Sequence, residues 1–197
     1  MGLNPGYSEG QTLLDEEERD GLLIPAVSTR FELNEFEQMN IEQAIEWTQS
    51  RSFTAETLFS QPFVCMLHKR MFAEVWAWAG VFRKSEKNIG IPHWQIPTEL
   101  KYLLDDVRFW YENDTYPPEE LALRFKHRLV SIHCFSNGNG RHSRLMADII
   151  LSKIYKKQVF SWGALQPADR YIRSAYLHAV KAADKGDFRL LIEFSIS

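Results

Sequence analysis

The chain has 197 residues, of which 45% are apolar and 13% aromatic, and its 26 acidic and 23 basic side chains leave a net charge of −3. That apolar share argues for a folded chain with a full core rather than a disordered one, and the charge gives no reason to expect a nucleic-acid or membrane surface. Two cysteines, Cys65 and Cys134, form no CxxC pair, so a zinc site or redox motif is not indicated. No apolar run approaches membrane-spanning length, and the N-terminus lacks a charged region followed by an apolar one. The plain reading is a soluble cytoplasmic protein.

Residues 1–20 are rich in Gly, Pro and acid, with the run Asp15-Glu16-Glu17-Glu18, and read as an extended arm. We take residues 1–34 as this arm and 35–197 as one domain. In Ser28-Thr29-Arg30-Phe31-Glu32-Leu33-Asn34, Thr29 followed three residues later by Glu32 makes a capping box, and Asn34 with Glu37 offers a second. The period then predicts a helix over about 35–51 with Phe36, Ile41, Ala44, Ile45 and Thr48 inward. A further apolar run over about 56–76 has Pro62 at a helix start and an aromatic and Met stripe that reads as core; His68 and Lys69 fall at its surface or boundary. Residues 81–97 lose the helical period and contain Asn88, Gly90, Pro92 and Pro97, which reads as an irregular or hairpin segment.

Helices follow over about 98–113 and 118–133, the second opened by Pro118, Glu119 and Glu120. Leu121, Phe125, Leu129 and Ile132 of that helix, and Leu145, Met146, Ile149, Ile150 and Ile154 beyond it, are two apolar stripes. Between them stands His133-Cys134-Phe135-Ser136-Asn137-Gly138-Asn139-Gly140-Arg141-His142-Ser143-Arg144. This reads as a loop opening onto a helix, with Asn139 as candidate N-cap. Glycines allow close backbone approach, and a helix's first turn presents unpaired N–H groups at the positive end of its dipole. With Arg141 and Arg144 three apart, the stretch makes a phosphate cradle, and His133 at its mouth can take a proton as a neutral imidazole. After Tyr155, Phe160-Ser161-Trp162-Gly163 reads as a turn, Pro167 opens a helix that Gly186 ends, and Asp187 caps a last short one.

At these residues the sequence resembles the Fic family, whose signature is HPFx[D/E]GNGRxxR; Cys134 replaces the usual proline and Asn137 the acidic residue. From Gly2-Leu3-Asn4-Pro5 onward the chain is similar to the bacterial subgroup called mobile mystery protein B. The resemblance implies an all-α, Fic-like helical domain with a small β-hairpin flap at Lys84–Ile96, whose edge would pair with a target protein. It implies transfer of AMP from ATP to a Ser, Thr or Tyr hydroxyl, with His133 as general base. Gly138, Asn139, Gly140, Arg141 and Arg144 would hold the phosphates. Asn137 stands where the family's acid binds Mg²⁺, so Mg²⁺ or Mn²⁺ would meet a neutral ligand.

The family can also carry an inhibitory [S/T]xxxE[G/N] helix, which Ser28 and Glu32 resemble, the glutamate reaching Arg144; the capping box is the other reading of Glu32. Tyr176 resembles a tyrosine lining the nucleotide pocket, and from spacing alone is a core residue. Three functions stand: a toxin-like AMP transferase restrained by Glu32, a catalytically silent nucleotide-binding module, and transfer of another phosphate-containing group. The subgroup is typically encoded beside a small helix-turn-helix protein, an expected partner; no membrane or direct nucleic-acid binding is expected.

Overall fold

The computed structural model describes residues 19–27, 29–163 and 172–197. Its elements are α1 (Arg30–Gln49), α2 (Ala55–Leu58), α3 (Gln61–Phe72), a 3₁₀ turn (His93–Gln95), α4 (Ile96–Glu112), α5 (Pro118–Ile132), α6 (Asn139–Ile149) continued by a π-helical stretch (Ile150–Ile154), α7 (Ile172–Ala183) and α8 (Arg189–Ile196). No strand is present among the described residues; Leu22 and Trp76 form an isolated antiparallel bridge. No helix among them is long and apolar enough to cross a membrane.

Local chemistry sets the helix starts. At α1 the Thr29 hydroxyl accepts the Glu32 N–H at 3.2 Å, while the Glu32 carboxylate accepts the Thr29 N–H at 3.0 Å. This capping box starts the helix several residues ahead of the apolar period. Ser60 caps α3, with Pro62 in its first turn as expected. Pro97 and Pro118 stand in the first turns of α4 and α5, where a missing N–H costs nothing.

The core lies where α5, α6 and α3 meet, with α4 against α5, α1 against α3, and α8 against both α5 and α7. Phe59, Phe72, Phe125, Phe135 and Trp76 are among its fully buried side chains. On α1 Ile41, Ala44 and Thr48 are buried as expected and are joined by Leu33, Glu37 and Asn40; Phe36, expected inside, is 40% exposed. Near its start the helix buries Glu37 rather than Phe36 because Glu37 and Asn40 have partners inside. Asn40 Nδ2 donates to the Arg70 carbonyl at 2.9 Å and its Oδ1 accepts the Glu74 N–H at 3.0 Å.

The expected hairpin is not formed. Residues 83–92 wrap around the Arg83 side chain instead, and the Glu86 carboxylate closes the loop onto the N–H and ring of His93 at 3.2 and 2.7 Å. The Ser85 and Ile91 carbonyls are turned to the guanidinium rather than to a neighbouring strand, as a ladder would need.

Candidate active site

The site is built on the link between α5 and α6. His133 ends α5 in a left-handed conformation, φ 59° and ψ 59°, a costly backbone for a residue with a Cβ. Its imidazole is packed in, and Nδ1 lies 3.3 Å from the Val130 carbonyl. A carbonyl only accepts, so the proton sits on Nδ1 and the lone pair on Nε2. Burial first, with the nearby Arg83 and Lys87 charges, pushes the His133 pKa down to about 4. The ring is therefore a neutral base at physiological pH.

Residues 134–138 return the chain to α6. Phe135 is fully buried and stacks on His68 with ring centroids 3.8 Å apart. His68 itself is buried rather than at the surface. Its Nδ1 accepts the Gly80 N–H at 3.0 Å, which leaves Nε2–H to donate to the Asn137 carbonyl at 3.0 Å. Burial, chiefly, holds His68 well below the usual histidine range. His142 Nε2–H likewise donates to the Val64 carbonyl at 3.0 Å, and burial lowers its pKa to about 3. The Asn139 side chain closes the loop, accepting the Phe135 N–H at 3.0 Å and donating to the Phe135 carbonyl at 2.7 Å.

Asn139 is thus the first helical residue, not the cap. The cap position belongs to Gly138, whose φ of 78° puts it in the glycine-favoured region and which offers no side-chain cap. A Cβ on Gly138 would lie 2.5 Å from the Phe72 ring, so Phe72 packs directly beneath the turn. Gly140 differs: a Cβ there would meet nothing within 4 Å. The N-terminus of α6 therefore presents a first turn with no side-chain cap and an open face at Gly140.

The two arginines diverge. Arg141 is paired with Glu37 of α1 at 2.7 Å, and its guanidinium lies 5.0 Å from the Phe72 ring centroid. Glu37 is fully buried, and its other oxygen accepts the Trp76 indole N–H at 2.7 Å. Arg144 sits 5.0 Å from the Tyr176 ring and 5.9 Å from that of Trp162, with its Nε buried and lacking a hydrogen-bond partner among the described residues. Lys126 Nζ approaches the same Tyr176 ring at 4.8 Å. Tyr176, half-buried, thus stands among cations beside the signature as well as against Phe194. Trp162 is held by the Asp148 carboxylate, whose pKa burial raises to about 6.

Of the residues read from the sequence, His133, Asn137, Gly138, Asn139, Gly140 and Arg141 come together around the α6 turn, and Arg144 lies one helical turn on beside Tyr176. Ser28 lies outside the described residues. Glu32 closes the capping box, and the carboxylate on α1 that meets the signature is Glu37. Glu37, His68, Arg83 and Lys126 were missed. For Glu37 a signal existed, since it falls four residues after Leu33 on the buried stripe.

A divalent cation finds little here. Asn137 supplies one neutral oxygen, which accepts the Gly138 N–H at 2.6 Å, and its Nδ2 is buried without a partner among the described residues. Among the described residues no group of His, Cys, Asp or Glu could hold a metal ion. Mg²⁺ is ordinarily bound through one or two carboxylates together with substrate phosphates, so this donor set does not fit a resident Mg²⁺.

The model of the Fic/DOC family matches residues 58–151, which include α3 to α6 and the whole signature. Those residues are similar to a Fic/DOC family domain. The protein adenylyltransferases Fic of Drosophila sechellia and Drosophila simulans are each 30% identical over 132 residues, covering 65% of this chain and 25% of theirs. The chain thus spans about a quarter of the length of these curated relatives. The Fic fold is shared with Fic-1 from C. elegans, at a TM-score of 0.66 and 22% identity over 90% of this chain and 51% of that one. It is shared also with the BepC protein of Bartonella tribocorum with bound AMPPNP, at 0.68 and 15% identity over 91% and 96%.

Proposed function

We propose that the chain is a protein AMP transferase, taking ATP and a hydroxyl of a target protein. The observation that carries the reading is the pairing of a neutral His133, its lone pair on Nε2, with the side-chain-uncapped first turn of α6 and the open face of Gly140. The amides of Asn139, Gly140 and Arg141 point where an anion is favoured. The adenylyltransferase relatives and the AMPPNP carried by BepC support a nucleotide as that anion.

In the reaction, His133 Nε2 takes the proton of a Ser, Thr or Tyr hydroxyl. The hydroxyl oxygen bonds the α-phosphorus, the bond from that phosphorus to the bridging oxygen of the β-phosphate breaks, and pyrophosphate leaves with that electron pair. A loose phosphoryl transition state asks mainly for positioning and charge stabilisation. The α6 amides supply these at the α-phosphate. Arg141 contacts the β-phosphate, and Arg144 with Tyr176 faces the far end of the nucleotide. A divalent ion arriving with ATP would meet Asn137, and no step here is routed through it.

The target lies along the loop 84–96, where exposed Trp94 offers a grip. A restraint by Glu32 has only the resemblance to the family's inhibitory helix behind it, since its carboxylate serves the capping box, and a helix-turn-helix partner, a toxin-like role and a cytoplasmic setting accompany the mobile mystery protein B resemblance. A silent nucleotide-binding module is the second reading, favoured by the engaged, neutral Asn137.

Incubation with α-labelled ATP and Mg²⁺ or Mn²⁺ in cell lysate separates the two. Label on protein that rises with Glu32→Gly and vanishes with His133→Ala establishes a restrained transferase. ATP binding without label from any form leaves the module. Absence of both removes each reading.

A further inference from the structure

Arg83 is 3% exposed and surrounded by carbonyls. Its Nε donates to the His133 carbonyl at 2.6 Å, its Nη1 to that of Ser85 at 2.9 Å, and its Nη2 to that of Ile91. Its own N–H donates to the Cys134 carbonyl at 3.0 Å. A guanidinium is a planar fork of donors in fixed directions, which a flexible ammonium does not reproduce. One prong of the fork holds the backbone of the left-handed His133; the others gather the loop on either side of Gly90.

Gly90 makes the closure tight. Its φ is 99°, and a Cβ on it would lie 2.5 Å from the His133 Cβ and 3.1 Å from Arg83 Nη2. The loop thus lies directly on the base, with Arg83 beneath. A left-handed backbone is costly for a residue with a Cβ and persists only where its surroundings fix it.

We propose that Arg83 is a positioning residue which couples the loop 84–92 to His133. By holding the His133 carbonyl it fixes the left-handed turn, and through that the Nδ1–H contact to Val130 that leaves Nε2 as the base. The same side chain needs the Ser85 and Ile91 carbonyls, so a loop drawn away from Arg83 disorients the base. Part of this rests on the transferase reading, in which the loop is where a target lies.

The test is the ring ¹⁵N spectrum of histidine-labelled protein at pH 7, for the wild type, Arg83→Lys and Arg83→Ala. In the wild type His133 shows the neutral Nδ1–H pattern. In Arg83→Lys that pattern averages between tautomers, while the buried His68 and His142 keep theirs. Guanidinium ion added to Arg83→Ala returns the His133 pattern. In the labelling assay kcat falls about 100-fold, the cost expected of a misplaced catalytic group, with KM for ATP within about threefold. An unchanged His133 pattern in both variants, or His68 and His142 changing together with it, overturns the proposal. A wild-type protein that labels nothing counts against the transferase reading alone, and the spectra still decide Arg83.

Discussion

Gly140 and Gly138 are two residues apart and fail for different reasons when given a side chain. Gly140→Ala puts its methyl into open space and gains helix propensity of up to about 1 kcal/mol. The expected result is an unchanged or slightly raised Tm with loss of ATP affinity, measured by calorimetry; unaltered affinity would mean that no ligand sits on that turn. Gly138→Ala meets the Phe72 ring and a left-handed backbone, so it lowers Tm whatever is bound. Asn137→Asp tests the metal. A carboxylate in place of the amide adds the charge that a hard cation prefers. The variant should respond to Mg²⁺ at lower concentration than the wild type, read as the metal dependence of labelling. Identical metal curves would show that residue 137 does not face the ion.

Among the elements, α1 carries two glutamates with separate duties. Glu32→Gln keeps an acceptor for the Thr29 N–H, whereas Thr29→Ala removes the cap at a cost of about 1 kcal/mol. If Glu32 restrains the site, the Gln form labels faster at unchanged Tm; if it serves only the capping box, neither form does. Glu37→Ala leaves the Trp76 N–H and the Arg141 guanidinium without their carboxylate, a loss on the order of 1–3 kcal/mol in urea unfolding. A negligible change would show that water replaces the carboxylate freely. The helices were legible because apolar period and capping residues are local signals. The break in helical period over 81–97 was legible too, but the loop's shape was not, because it follows from one guanidinium reaching carbonyls as far away as His133. The site's composition was legible for the same reason as the helices: its residues are contiguous. Glu37 and His68 come from other helices; the place of Glu37 on the buried stripe of α1 hinted at its burial, but only the packing reveals the partners of either.

For the whole molecule, buried neutral histidines dictate an acid limit. The unfolded chain takes up protons near pH 6.5, while burial keeps His142 unprotonated to about 3 and His133 to about 4. Between these values the unfolded state binds more protons, so stability rises with pH and is lost as pH falls. Each such histidine contributes about 1.4 kcal/mol per pH unit. Calorimetric Tm should therefore drop steeply from pH 6.5 toward 4, and His142→Gln, which keeps a donor for Val64, should make the drop shallower. A slope that the substitution leaves unchanged would mean His142 titrates normally. Activity follows a different curve, since His133 stays an unprotonated base down to about pH 4, and the rate should hold until the fold gives way.

The turn at the start of α6 has a last consequence, in mass action. A side-chain cap at that position would be worth about 1 kcal/mol, and Gly138 supplies none. Whatever anion occupies those amides binds the folded state alone and raises its stability with the logarithm of its concentration, about 2.7 kcal/mol at a hundredfold excess over Kd. The melting temperature is thus a gauge of ligand identity that needs no target protein. Scanning AMP, ADP, ATP, other nucleotides and inorganic triphosphate ranks what the cradle was shaped to hold.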